Sequence, residues 1–509
     1  MTRASSPLDP RTPRKLTRRD LLARGAVTGA ALLLSGGCAH LTRPDRRVWV
    51  NDVHSCLNHT RVAQFVEPGS AEALGAAIRG ARDAGRAVSV CGGRHAMGGQ
   101  QFGTDTLLVG TDRLAGITEL DTQAGQVEVG AGTQWPELIE DLLQRQAGAA
   151  APWTIASKQT GADRLSIGGA LAANAHGRSL ARPPMVADVE AFTLVDADGV
   201  ARRCSRQENT ELFRLAIGGY GMFGVMSSVR LRLVPRRKVR RTVEILDLEQ
   251  FLPAVEQRLA DGYLYGDFQY ATAVGSDEAL RRGVFSCYQP VDPSTPAPND
   301  QRQLGEDDWR ELILLAHHDR REGFRRYADY YAGTSGQVYW SDTQQLSTYV
   351  DDYHARISGF DAAERKGSEM ITEIYVPREA LTSFMDEVRR DFEQHAVDLI
   401  YGTIRLIERD DETVLAWARE PWACVIFNLH VDHHDAGLAR SAADFRRLID
   451  RAMGYGGSYY LTYHRWARRE QVLACHPALP HALSRKRHYD PDERFQSDWY
   501  RHLCTLLAG

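Results

Sequence analysis

Four glycines crowd around one histidine in Gly92-Gly93-Arg94-His95-Ala96-Met97-Gly98-Gly99, directly behind a short apolar run. Glycine reaches positive φ without a Cβ penalty, so successive backbone N–H groups can turn toward one point and cradle an anion. A phosphate-bearing cofactor suits such a cradle. His95, held between these glycines, would have little freedom to move. A tight surface turn carrying a solvated histidine has the same local pattern, so the flanking elements have to decide between the two.

Those elements read clearly. Ser70 can cap a helix with Leu74, Ala77, Ile78 and Ala81 on one face, Gly85 stops it, and 87–90 is a buried strand that delivers the glycines. Segments 116–121 and 126–130 alternate as two strands, and Thr133 is placed to cap a helix with Pro136 in its first turn and Leu138, Ile139, Leu142 and Leu143 inward. A second glycine-rich stretch holds Ser166, Ile167, Gly168, Gly169, Asn174, His176 and Gly177, small enough for a backbone to press on a flat ligand. A hairpin at 189–196 and 199–204 and a helix at 208–215 then lead to Gly219, Gly221 and Gly224, with Val225 opening a strand over 225–234. This spacing matches GxGxxG, but the order is helix, glycines, strand. The Rossmann fingerprint requires strand, glycines, helix, so it is rejected.

The chain of 509 residues is ordinary for folded protein, with 43% hydrophobic and 25% charged residues, and its net charge of −4 gives no reason to expect nucleic acid. The first 37 residues carry seven basic and two acidic residues, so the remainder is more acidic than the whole. Arg18-Arg19 followed by a short apolar stretch reads as a twin-arginine export signal over 1–38, too short to span a bilayer. Leu34-Ser35-Gly36-Gly37-Cys38 is similar to a lipoprotein cleavage box with serine where leucine is usual, so a lipid on Cys38 is the only membrane attachment expected. The other seven cysteines are scattered without a CxxC pair, and that odd number argues against a disulfide framework.

The three motifs in this order resemble the FAD-binding domain of the p-cresol methylhydroxylase type, in the vanillyl-alcohol oxidase superfamily. The resemblance covers 61–236. It implies an α+β fold: a two-subdomain FAD-binding domain, then a mixed α/β substrate (cap) domain over 237–470 with an antiparallel sheet. Segment 39–60 would be a linker. It also implies that 92–99 holds the pyrophosphate, that the segment from Ser166 to Gly177 lies over the flavin ring, and that Gly224 and Val225 close the site. His95 is then the candidate for covalent attachment. Arg94 stands where the family has glycine, and Ala96 where it has serine. No cysteine lies between Cys91 and Cys204, so a second attachment is not expected.

Beyond 236 the resemblance thins. Residues 235–241 read as a basic seam and 293–303 as an exposed loop, with strands at 262–272, 283–288, 369–376, 400–407 and 423–430 and helices at 248–260, 377–393 and 439–453. Residues 402–411 resemble the aldonolactone and alditol oxidase branch, making Arg405 a candidate for a substrate oxygen or the reduced flavin's charge; Thr403 stands where that branch has glutamate. Tyr463-His464-Arg465-Trp466-Ala467-Arg468 is similar to its His-Trp-Ala-Lys signature and adds His464 and Arg468. The segment around His176 also resembles the decaprenylphosphoryl-ribose oxidases, where the matching histidine lies near substrate. The tail from 471, with Asp490-Pro491 and Phe495, resembles a segment that packs back on the FAD domain.

His430-Val431-Asp432-His433-His434-Asp435 is read as a charged strand end, since the spacing offers no further metal ligand. The implied function is hydride transfer from a hydroxyl-bearing sugar, polyol or lactone-like substrate to flavin N5, with oxygen or a separate carrier as electron acceptor. The alternatives are a dehydrogenase or reductase, and an exported flavin-binding protein with a vestigial site.

Overall fold

Ser70 lies in extended backbone and accepts a hydrogen bond from the Ala73 amide, which starts helix α1 (Ala71–Asp83). The helix buries Leu74, Ile78 and Ala81, one stripe at helical spacing, and Gly85 follows it at a φ of 63°. In the computed structural model, which describes residues 48–298, 300–347 and 367–508, this helix is the crossover of a small parallel sheet. Strands β1 (Gln64–Val66) and β2 (Val88–Cys91) flank β3 (Leu107–Gly110). The export signal and Cys38 lie outside the described residues.

A second, antiparallel sheet follows. Its strands are β4 (Ile117–Asp121), β5 (Gln126–Gly130), β6 (Val189–Val195), β7 (Ala201–Ser205) and β8 (Val225–Arg232), in the order β7-β6-β8-β5-β4. Helix α2 (Trp135–Arg145) packs Leu138, Ile139 and Leu142 inward as expected, but Gln134 caps it. The Thr133 hydroxyl instead accepts from the Gly116 amide at 2.9 Å, tying the helix start to the strand before it. Ser166 caps the short helix α3 (Ile167–Ala172) through the Gly169 amide, so the second glycine stretch enters the structure as one compact turn.

The cap is an eight-stranded antiparallel sheet. It comprises β9 (Lys238–Asp247), β10 (Tyr265–Tyr270), β11 (Arg282–Pro290), β12 (Val338–Trp340), β13 (Gly367–Pro377), β14 (Leu399–Ile407), β15 (Trp422–Asp432) and β16 (Ser458–Tyr459), in the order β12-β9-β11-β10-β14-β15-β13-β16. The basic seam is not a surface feature throughout, because Arg241 points inward from β9 and is 9% exposed. Helices α4 (Glu306–His318) and α5 (Arg320–Ala332) escaped the sequence reading. The first buries no residue completely and the second only Gly323 and Ala328, so neither writes a strong apolar stripe into the sequence.

The tail returns to the first sheet: the Val88 amide donates to the Arg494 carbonyl at 2.7 Å, and the Gln496 amide to the Val88 carbonyl at 2.9 Å. Asp490 fixes this return, its carboxylate accepting from the Arg494 and Phe495 amides and from buried Lys486. No helix among the described residues is long and apolar enough to cross a membrane.

Candidate active site

A cavity of about 700 Å3 runs between the glycine segments and the cap sheet, inside the range of small-molecule sites. Gly92, Gly93, Arg94, His95, Ala96 and Met97 line one wall, Ser166, Gly168, Gly169 and His176 another, and Gly224 and Val225 close it. The glycines are there because two backbones meet: a Cβ on Gly92 would lie 2.0 Å from Ser166 Oγ, and one on Gly93 2.3 Å from the Arg164 carbonyl oxygen. Arg94 occupies left-handed backbone at a φ of 59°, which is the conformation that favours glycine at this place.

His95 is largely shielded from water and its pKa is pushed down to about 3, first by desolvation and then by neighbouring His54. Its Nδ1 lies 2.7 Å from His54 Nε2, and the Arg164 backbone carbonyl takes a second hydrogen bond from the ring. His54 carries no signal in the sequence, since it precedes the glycines by some forty residues.

Other predicted residues support the cavity from behind. Gly98 and Gly99 turn the chain away, the Gly98 amide donating to the Thr462 carbonyl at 3.0 Å and Gly99 adopting a φ of 77°. Ile167 is a core residue. Gly177 permits contact with the Lys158 backbone, 2.3 Å from where a Cβ would stand. Asn174 is a tie between the parts: its Nδ2 donates to Asp410 at 2.9 Å, its Oδ1 accepts from the Val186 amide at 3.0 Å, and its carbonyl accepts from the Trp417 indole at 3.0 Å.

The cap contributes what the sequence did not reveal. Strand pairing sets Thr403 opposite Ile426 and Ile426 opposite Glu373, so Glu373 lies in the same row as Thr403, two strands away. Its carboxylate meets His176 Nε2 at 2.9 Å, Tyr375 Oη at 2.9 Å and Tyr463 Oη at 2.8 Å. His176 Nδ1 faces the Gly177 carbonyl at 3.2 Å. Burial alone would raise the Glu373 pKa, but the charge and hydrogen bond of His176, helped by Tyr463 and Arg405, hold it below the ordinary carboxylate value. An acidic residue in the middle of the buried strand 369–376, which also holds Glu369 and Thr372, was the available signal.

Arg405 also faces the cavity. It donates to Thr160 Oγ1, and its Nε is buried without a hydrogen-bond partner. Two other assignments need correction. Arg468 caps a helix on the surface, pairing with Asp450 at 2.7 Å and with Glu470, outside the cavity lining. His464 is sealed in a stack between Phe445 and Tyr459, with ring centroids at 4.8 and 5.7 Å, and desolvation pushes its pKa down to about 3. Its neighbour Tyr463 is the member of that signature that lines the cavity.

His430 is a charged strand end that acquires a distant partner through the fold. Its Nδ1 lies 3.2 Å from Glu369, and His317 of α4 reaches the same oxygen at 3.4 Å. This cluster lies outside the cavity lining.

A family model described as an FAD binding domain matches residues 62–205, the stretch that supplies the glycine walls and His176. That stretch carries an FAD-binding domain of the p-cresol methylhydroxylase type. Over 274 residues it is 25% identical to cytokinin dehydrogenase 4 of Oryza sativa subsp. japonica, covering 51% of this chain and 50% of that one. It is 28% identical over 192 residues to D-arabinono-1,4-lactone oxidase of Eremothecium gossypii, covering 37% and 35%, and 26% identical over 196 residues to L-gulonolactone oxidase of Bos taurus, covering 38% and 42%. The chain thus spans about half or less of the length of these curated relatives. Its cofactor is FAD, and the close-packed glycine walls fit it.

Proposed function

We propose that this protein oxidises a hydroxyl-bearing compound of the sugar, polyol or lactone kind at its flavin, outside the cytoplasm, and passes the electrons to oxygen or to a separate carrier. The observation that carries this reading is the buried His176–Glu373 contact of 2.9 Å in the cavity wall. FAD, when bound, supplies the acceptor for a hydride equivalent. The chain's own residues do the rest. Gly92, Gly93, Gly168 and Gly169 let the walls close on the cofactor, and the His176–Glu373 pair accepts the hydroxyl proton, with Tyr463 and Tyr375 steadying the carboxylate. Arg405, two strands over from Glu373, holds developing negative charge.

The test is anaerobic bleaching of the flavin by a panel of polyols, sugars and lactones. A compound that reduces the wild type and fails with Glu373→Gln supports the reading. A flavin that no member reduces defeats it and favours a binding protein. A compound without a hydroxyl as the sole reductant favours a different dehydrogenase.

Covalent attachment through His95 belongs to the same reading, supported by its neutral, shielded ring. Acid precipitation of the wild type should leave the yellow colour in the pellet and release it in His95→Ala; colour in the supernatant from the wild type removes the bond. Export rests on Arg18 and Arg19, whose replacement by lysine should leave the protein in the cytoplasm.

A further inference from the structure

Besides Arg94, four arginines line the cavity, Arg178, Arg241, Arg302 and Arg405, and of these Arg302 is exposed. Arg241 and Arg405 are buried, and the Arg178 side chain is only 13% exposed. Arg241 has no carboxylate within 4.0 Å among the described residues; Tyr288 Oη at 2.6 and 2.9 Å and Thr334 Oγ1 at 3.0 Å are its hydrogen-bond partners. Its guanidinium instead lies over the rings of Tyr339, Tyr331 and Tyr288, at 4.6, 5.1 and 5.2 Å. Arg178 shares the Tyr288 ring at 4.9 Å, donates to Gln344, and has its nearest carboxylate, Asp267, at 4.0 Å. Its Nε is buried without a partner. Arg405 likewise has no carboxylate within 4.0 Å among the described residues, and Glu373 is already engaged by His176.

Buried charge is ordinarily paired, because an unpaired ion loses its hydration for nothing. Among the described residues Asp267 alone answers Arg178, and no carboxylate lies within 4.0 Å of Arg241. Cation–π contact with tyrosine eases the cost of the charge without cancelling it. An anion supplied from outside would complete the site.

We propose that the substrate carries a carboxylate or phosphate, seated between Arg178 and Arg241 in the tyrosine-walled arm of the cavity. This deepens the oxidoreductase reading above and rests on it for the word substrate. The strand order gives the arm its distance. Arg241 of β9 is three strand steps from Arg405 of β14 (β9-β11-β10-β14), roughly 14 Å between backbones at about 4.8 Å per step. The anionic group therefore sits at the end of the molecule away from the carbon that is oxidised. The tyrosine rings suit the carbon skeleton between the two ends.

The test uses the FAD-loaded protein and reads the shift of the flavin absorption spectrum on titration, with a thermal shift as a second readout. The probes are D-glucitol, D-gluconate and D-glucitol 6-phosphate, which share a skeleton and differ in charge. At least one anion should bind ten-fold or more tightly than D-glucitol. That preference should fall to within about two-fold in Arg241→Met and Arg178→Met, while Arg241→Lys, which keeps the charge, retains part of it. FAD content per protein, measured alongside, shows that the variants fold. A preference for the phosphate over gluconate assigns the site to phosphate, and the reverse assigns it to carboxylate. Equal binding of all three by the wild type overturns the proposal, as does a preference that survives both methionine variants. Anions that bind to a flavin no compound reduces would defeat the oxidoreductase reading and leave the anion site standing. Reduction by neutral polyols without any anion preference would do the opposite.

Discussion

Glu369 and Glu373 lie four residues apart on one face of β13, both buried and both against histidine, yet only Glu373 lines the cavity. Glu369 bridges two imidazoles, His317 at 3.4 Å and His430 at 3.2 Å. Glu373 meets one imidazole and two phenols, with Arg405 near enough to favour its charge. Residue type and burial are the same, so neither makes a carboxylate chemical. Access to the cavity and a hydrogen-bond set that keeps the anion do.

The comparison breaks most visibly in flavin reduction. Glu373→Gln should slow it by about 100-fold or more, the usual scale for losing an acid–base group, with FAD content unchanged. Glu369→Gln should leave it within about three-fold. Anaerobic stopped-flow absorbance decides this, and equal losses in both would mean that β13 is simply fragile. Tyr463→Phe removes one of the hydrogen bonds to the Glu373 carboxylate and should cost about ten-fold in the same assay, roughly the 1.4 kcal/mol of a hydrogen bond to a charged group.

The two clusters should also respond to pH with opposite signs. The Glu369 hydrogen bond raises the His430 pKa above 6.5, so that pair stabilises fully below pH 6.5 and loses its contribution as the pH rises through the folded-state value. Glu373 is lowered from 4.5 mainly by His176, so its pair stabilises above pH 4.5 and loses its contribution as the pH falls through the folded-state value. The melting-temperature gap between wild type and His430→Asn should shrink from pH 6 to pH 8.5. That between wild type and Glu373→Gln should shrink from pH 6 toward pH 3.5. Parallel trends would show that the clusters are alike.

The smallest effect lies across the cavity, in the glycine wall. Arg94 sits at a φ of 59°, a conformation costing roughly 1–2 kcal/mol for a side-chain-bearing residue, while the extra unfolded freedom of glycine costs roughly 0.4–1 kcal/mol. Arg94→Gly should therefore stabilise by about 0.5 kcal/mol in urea unfolding of the FAD-loaded protein. Arg94→Ala, which keeps the Cβ, should not.

How much was legible differs between the two walls. The glycine walls come from short runs, each contiguous in sequence, and the elements around them at 71–83, 117–121, 126–130, 189–195 and 225–232 follow period and caps closely enough to be read without coordinates. Five of the eight cap strands, all but β9, read as a basic seam, and the short β12 and β16, were legible as strands, because alternation is local. Their partners were not. Arg468 looked chemical from its neighbours and turned out to cap a helix, while Tyr463 passed as a flanking residue.

By itself the sequence determined a cofactor loop, because close backbone approach and left-handed turns demand glycine at fixed positions, and chain order carries that demand. It also determined that Arg405 would share a strand with Thr403. Only the tertiary structure decided that Glu373 would face His176, 197 residues away, and that Arg241 would be buried among tyrosines with no acid within 4.0 Å among the described residues. Sheet register makes such neighbours, and register is set by the packing of whole strands rather than by any short run of residues.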